Sequence, residues 1–306
     1  MSALTTHAPR RPWAGRLSDR GINRASVMVL SLGIVAVLYP IYFIVIASIS
    51  DPNAVYNGEV WLVPSGVTFE GYERIFSDPT IIRGFANSVL YTGLATAISV
   101  ALIVTGGYAL SRRDLPGRKT ITFLLVITLF FDGGMIPRYL VVQQLGMLDT
   151  IWAMVLPGAV GVWNLLIARS FFEVTLPSEL REAAQIDGAS DFRFFFSVAL
   201  PLAKSLVVLM AMIHLVANWN AFFDALIYLN DASKYPLQLV LRNILIQSDL
   251  SAGSLTGDLE SYAQAQRVGE LVKYATIVVS TLPIIALVPF LQKHFTKGAL
   301  LGAVKN

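Results

Sequence analysis

Apolar residues in this chain come in long runs rather than in stripes. Six stretches, 25–49, 85–110, 120–136, 151–171, 202–229 and 271–291, carry few charges. Each approaches or exceeds the roughly 20 residues that a helix needs to cross a hydrocarbon core. A membrane-spanning strand would instead show about ten residues of alternating character, and these runs do not alternate. The pattern therefore predicts an all-α polytopic membrane protein with six transmembrane helices. Most of the charge lies in the segments between the runs, chiefly 1–24, 51–83, 111–119, 172–201 and 230–270.

Composition strengthens this reading. The chain has 306 residues, 55% hydrophobic and 14% charged, whereas a soluble domain carries roughly a quarter charged residues. A net charge of +3 gives no argument for nucleic acid. The absence of cysteine removes disulfides, thiolate chemistry and cysteine metal sites together. Residues 1–24 are polar and arginine-rich, and the run that follows is too long for a signal-peptide core, so 27–49 reads as an uncleaved anchor.

The distribution of lysine and arginine sets the orientation. The N-terminal tail holds Arg10, Arg11, Arg16, Arg20 and Arg24; "SRRDLPGRK" (111–119) holds Arg112, Arg113, Arg118 and Lys119; Lys293, Lys297 and Lys305 follow the last run. Segment 51–83 is acidic by comparison. The positive-inside rule then places both termini and 111–119 in the cytoplasm. With six spans, 172–201 is cytoplasmic as well. Domain boundaries follow: tail 1–24, a six-helix domain 25–292, and tail 293–306.

Within the runs, Pro40, Pro157, Pro201, Pro283 and the glycines Gly93, Gly106 and Gly107 suit close helix packing or a cavity that satisfies freed backbone groups. The most informative polar segment is "LPSELREAAQIDGASDFRFFFSVALP" (176–201). Ser178 is the expected cap of a short helix with Glu179 in its first turn, and Gly188 is its expected stop. Ser190 is the expected cap of a second helix that continues through Leu200 and Pro201 into the fifth run. The two helices form an L bent at Gly188.

That segment, with Glu182-Ala183-Ala184, then Asp187-Gly188, then Leu200-Pro201, resembles the EAA loop of permease subunits of bacterial ATP-binding-cassette importers. The resemblance extends over almost the whole chain. "VPSGVTFEGYERIF" (63–76) and 87–119 are similar to carbohydrate-type permeases; 133–150 and 218–245 are similar to the branch that imports complex oligosaccharides. "HFTKGALLGAVKN" (294–306) resembles the tail of the maltose-type second permease half. The resemblance implies a type I importer fold with an L-shaped cytoplasmic coupling-helix pair. It also implies a sugar or oligosaccharide path shared with a second, different permease, two ATPase subunits and an extracytoplasmic binding protein. Residues Glu182, Ala183, Ala184, Asp187, Gly188 and Pro201 would contact the ATPase, as would Lys297, Gly298 and Gly302 of the tail. The chain would be non-catalytic and without a cofactor of its own, with ATP and magnesium on the partners, in the bacterial inner membrane.

The residues themselves agree with that division of labour. No G-x-x-x-x-G-K-[ST] is present, so ATP is not bound through a P-loop. His7, His214 and His294 are scattered, which disfavours a metalloenzyme. An ion- or proton-coupled carrier is the alternative, but it needs paired intramembrane carboxylates or a carboxylate–histidine relay. Asp224 and His214 stand ten residues apart. In the fifth run, Asn218, Trp219, Asn220 and Asp224 combine an aromatic face with amide and carboxylate groups, which suits a sugar path. Hydrogen bonding between helices is the competing role for these residues. It is the expected one for His214, with Asn87 and Asn164 as weaker path candidates and Asp132 at an outer interface. Segment 230–270 is expected to be a long polar outer loop.

Overall fold

The computed structural model describes residues 19–253, 269, 272–287 and 289, and every regular element among them is helical. The principal helices are α1 (Asp19–Ala47), α2 (Pro79–Ser111), α3 (Arg118–Phe130), α4 (Met135–Gln144), α5 (Val162–Thr175), α6 (Ser178–Ile186), α7 (Asp191–Leu202), α8 (Lys204–Trp219), α9 (Leu237–Gly253) and α10 (Val272–Leu287). Single-turn helices lie between some of them. The tail residues Lys297, Gly298 and Gly302 fall outside the described residues.

Helix α1 has a mean hydropathy of 2.5 over its spanning part. It is exposed on all sides as far as Tyr42 and becomes buried only around Ile46 and Ala47. Such a helix has hydrocarbon as its solvent and sits at the rim of the bundle.

The centre belongs to α2. Asp78 caps it by accepting from the Thr80 amide at 2.8 Å, and Pro79 fills the first turn, where a missing N–H costs nothing. Its 33 residues reach about 50 Å, more than a membrane's hydrocarbon thickness. Its largest contacts are with α5 and α8. Gly107 permits the first of these. A Cβ there would lie 2.6 Å from the Ala168 Cβ and 3.0 Å from both the Ala168 carbonyl carbon and the Arg169 nitrogen. Gly84 makes the equivalent approach near the outer end, where an added Cβ would meet Leu237 Cα at 3.3 Å. Gly93 faces open space, so the packing role expected of the small residues falls on Gly106 and Gly107 and not on it.

Three of the six hydrophobic runs are not continuous helices. The third run divides into α3 and α4, which meet at 120°. Gly134 at the junction has φ 84, and Asp132 accepts its amide at 3.0 Å. The fourth run breaks at 156–161, around Pro157, between a short helix Ile151–Val155 and α5. The fifth breaks at 220–222 between α8 and Phe223–Tyr228. A hydropathy window averages across such breaks, because each is short beside the apolar helices it joins.

The expected polar outer loop is also corrected. Helix α9 begins inside it, and Leu237, Leu239, Val240 and Leu241 are buried. Just before α9, segment 230–236 is clamped to the loop at Asp149 and to the first half of α2. Asp149, at φ 59, accepts the amides of Asn230 and Asp231 at 3.1 Å and the Lys234 ammonium at 2.7 Å. The Lys234 hydrogen bond, aided by the two amides, holds the Asp149 carboxyl below its usual range. Tyr91 donates to the Lys234 carbonyl at 2.9 Å, and the Asn87 amide donates to Ser233 and Tyr235 carbonyls. Asn87 is therefore spent on the loop.

At the end of the bundle that carries α6, α7 contains a π turn at Phe195–Ala199 and meets α8 at Ala203 with a 75° bend. Phe194, Phe195, Ala199 and Ala203 pack with Ile103, Val104, Tyr108, Ala168, Phe172, Leu206 and Met210 into one core. Gly107→Leu should push α2 and α5 apart and destabilise the protein, by about 1–3 kcal/mol or more for overpacking of this kind. Thermal unfolding followed by size-exclusion recovery of the detergent-solubilised protein measures it. Gly93→Ala, with nothing in the way, should leave the melting temperature unchanged or slightly higher.

Candidate functional site

Helix α6 is short, amphipathic and placed away from the bundle. The chain enters it at Pro177, which occupies the capping position without a side-chain hydrogen bond, so Ser178 is the first helical residue and not the cap. Proline fixes φ near its helical value and leaves ψ extended at 149°, which is enough to start the turn. The C-terminus behaves as the sequence indicates. Gly188 has φ 77; its amide donates to Gln185 O at 3.0 Å, and the Ala189 amide donates to Ala184 O at 2.9 Å. This pair of bonds is a Schellman closure, which requires a left-handed residue at the position of Gly188. Ser190 then caps α7 by accepting from the Arg193 amide at 3.3 Å.

The faces of the L are sharply divided. Inward, Ala184 packs on the core that contains Tyr108, Phe172, Phe194 and Phe195. The Tyr108 ring lies 4.9 Å from Phe195 and 5.6 Å from Phe172, centroid to centroid. Outward, Glu179, Glu182, Ala183, Gln185, Ile186 and Asp187 are exposed, with Phe192 beside them on α7. Ile186 at 87% and Phe192 at 79% exposure are large apolar side chains presented beyond the membrane spans with nothing over them among the described residues. Pro201 is exposed at the far end of α7.

An ion-pair network fixes the L to the foot of α2. Arg181 grips Asp114 in a fork, with Nη1 to Oδ1 at 2.9 Å and Nη2 to Oδ2 at 2.7 Å. Arg112 also pairs with Asp114, at 2.7 Å, and reaches Asp191 at 2.7 Å. Hydrogen bonds from Arg112 and then Arg181 drive the Asp114 carboxyl far below its usual range, and Asp114 in return raises both guanidinium values. Asp114 is ionised at any physiological pH. Half-exposed pairs contribute only about 0–1 kcal/mol each, so the network adds position more than stability. A second set, Arg118 and Arg169 on Glu173, ties α3 to α5. Arg112, Arg118, Arg169, Glu173 and Arg181 line a cavity of about 530 Å³. Counting the basic residues of 111–119 for orientation hides this arrangement. The signal for it is a single aspartate between Arg113 and Arg118.

The intramembrane candidates separate from one another. Trp219 is buried, donates its indole N–H to Ser280 O at 2.9 Å, and meets Phe85 edge-on at 5.7 Å. Asn220 is exposed and returns its amide to Val216 O on its own helix at 2.9 Å. Asn218 is half-buried, and its Nδ2 has no partner among the described residues. Asp224 is half-buried in the first turn of Phe223–Tyr228. His214 is buried and bonded to Asn164 at 3.2 Å, joining α8 to α5. Asp132 is exposed and lies 3.6 Å from Arg138.

Comparison with known proteins agrees with this geometry. Residues 120–301 match the family described as binding-protein-dependent transport system inner membrane component. Over 301 residues the chain is 40% identical to protein LplC of Bacillus subtilis (strain 168), covering 98% of this chain and 99% of that one. It is also 40% identical over 279 residues to the polygalacturonan/rhamnogalacturonan transport system permease protein YtcP of the same organism, covering 91% and 96%. Among solved structures, it matches a bacterial ABC transporter involved in the import of the acidic polysaccharide alginate. The TM-score is 0.81 at 32% identity, over 93% of this chain and 99% of that one. With more than half its length in the family match and a full-length relative at 40% identity, the chain belongs to the binding-protein-dependent transport system inner membrane components, the permease subunits of ATP-binding-cassette importers.

Proposed function

We propose that this chain forms one half of the membrane path of an importer for acidic oligosaccharides, and that the α6–α7 pair is its contact with an ATPase subunit. The observation that carries the second statement is the divided L. Its inner face is fixed to the bundle by Phe194, Phe195 and the Arg181–Asp114 fork, while its outer face presents Ile186, Phe192, Glu182 and Asp187 uncovered. A surface held rigidly on one side and bare on the other suits docking and transmission of force. In this reading Glu182, Ala183, Ala184, Asp187, Gly188 and Pro201 belong to the docking element. Lys297, Gly298 and Gly302 of the C-terminal tail add a second contact.

The partners are a second, different permease, two ATPase subunits that carry ATP and magnesium, and an extracytoplasmic binding protein that supplies the sugar. Both termini, 1–24 and 293–306, lie in the cytoplasm. The family to which the chain belongs gives no support to an ion-coupled carrier. The substrate class rests on two relatives, a polygalacturonan/rhamnogalacturonan permease and an alginate importer, whose named cargoes are uronic-acid polymers. Of the intramembrane candidates, Asn220 is exposed and Asp224 half-buried, whereas the Asn218 Nδ2 is buried. Trp219 serves as packing for α10.

Gly188→Val should lower uptake by the reconstituted importer about tenfold or abolish recruitment of the ATPase. A β-branched residue at φ 77 costs about 1–2 kcal/mol in the left-handed region and reopens the Schellman closure. Unchanged uptake with unchanged ATPase co-purification would remove the assignment of the L as the coupling element. For the path, Asn220→Leu should reduce oligogalacturonate uptake several-fold while leaving the melting temperature unchanged. Trp219→Ala should instead destabilise the protein itself, by about 3–5 kcal/mol for loss of a buried tryptophan, visible as a fall in melting temperature.

A further inference from the structure

The ion pairs at the foot of α2 supply a link that chain connectivity does not. Helix α6 is joined through the backbone to α5 on one side and, across Gly188, to α7 and α8 on the other. Besides the packing of Ala184 on the core that contains Tyr108, its link to α2 is the fork between Arg181 and Asp114, residues 67 positions apart. Asp114 lies just beyond the end of α2 at Ser111, and Arg112, the residue capping that helix, holds the same carboxylate through Nε at 3.2 Å and Nη2 at 2.7 Å. Asp191 at the head of α7 joins the set through Arg112 at 2.7 Å and Arg181 at 3.8 Å. One carboxylate therefore receives two guanidinium groups, one from the α2 side and one from α6.

The chemistry of that joint matters. Apolar contacts such as Tyr108 on Phe195 resist separation but allow sliding. A planar fork on a carboxylate fixes both distance and orientation. Beyond the joint, α2 packs along α5 and α8 and reaches the outer face, where Gly84 lies against Leu237 and Tyr91 holds the Lys234 carbonyl. A displacement imposed at its foot is delivered to the outer rim by a single continuous helix.

We propose that Asp114 is a positioning residue of the transport cycle, carrying motion of the α6–α7 pair directly into α2 and, in reverse, carrying events at the outer face to the ATPase. This rests on the reading of α6–α7 as the ATPase contact. The outward-to-inward direction offers a test that requires no knowledge of the sugar. The assembled importer, with both permeases and both ATPase subunits in proteoliposomes, is assayed for the factor by which added binding protein stimulates ATP hydrolysis.

In Asp114→Asn, ATPase co-purification and unstimulated hydrolysis should be retained, and the stimulation factor should fall at least about fivefold, the lower end of ordinary coupling between sites. Arg181→Gln should lower it by a similar factor. The double variant should lose less than the product of the two single losses, because both changes remove the same Arg181–Asp114 fork. Full stimulation in Asp114→Asn, loss of ATPase recruitment in that variant, or losses that multiply in the double variant would each overturn the proposal. Gly188→Val separates the two levels. If it alone abolishes stimulation, the route through α2 is wrong and the docking assignment stands. If it too is fully stimulated, the docking assignment itself fails.

Discussion

The architecture depends on how closely α2 can approach α5. Between helices in a bilayer there is no hydrophobic driving force, since lipid tails are as apolar as leucine side chains, and van der Waals contact must hold the bundle together. Gly107 brings the backbone of α2 so near to Ala168 and Arg169 that no Cβ fits between them. The next residue, Tyr108, is thereby set against Phe172 and Phe195. One turn further on, Arg112 is in position to meet Asp114 and Asp191. A contact without any polar group thus determines where the polar network lies.

The two ends of α2 are fastened by different physical means. At the outer end the ties are mostly hydrogen bonds to backbone carbonyls and amides: Asn87 to Ser233 and Tyr235, Tyr91 to Lys234, and Asp149 to Asn230 and Asp231. Bonds to the main chain hold a loop whatever its side chains are. At the inner end the ties run between side chains and are half-exposed, where each is worth little thermodynamically. A weak but directional joint can break and re-form during a cycle without unfolding anything, whereas the outer clamp behaves as part of the scaffold.

Local rules made much of the α6–α7 L legible in the sequence. Gly188 and Ser190 follow from backbone preferences that operate over four or five residues, and both occupy the positions those preferences assign. Ser178 does not, because Pro177 already supplies the extended-to-helical transition one residue earlier. The breaks in the third, fourth and fifth runs were hidden because each is short and the apolar residues on either side outweigh Asp132, Pro157 and Asn220 within them. The fate of Trp219 was equally hidden. Its burial and its bond to Ser280 depend on α10, a helix more than fifty residues away in sequence. Asp114 was visible as a charge but not as a partner, since pairing with Arg181 requires the bundle to be folded.

The π turn at Phe195–Ala199 has a consequence for how this segment tolerates change. A π turn holds about one residue more than an α turn, and each residue of an α-helix advances about 100° around the axis. Loss of one residue there would convert the turn to regular α-helix and swing everything before it by about 100° relative to Ala203, Leu206 and Met210. Phe194 and Phe195 would leave the core, and the L would point elsewhere. Substitutions within the turn change only packing, whereas a change of length resets the aim of the whole element. The spacing between Gly188 and Ala203 is therefore under a stricter constraint than the identity of most residues between them.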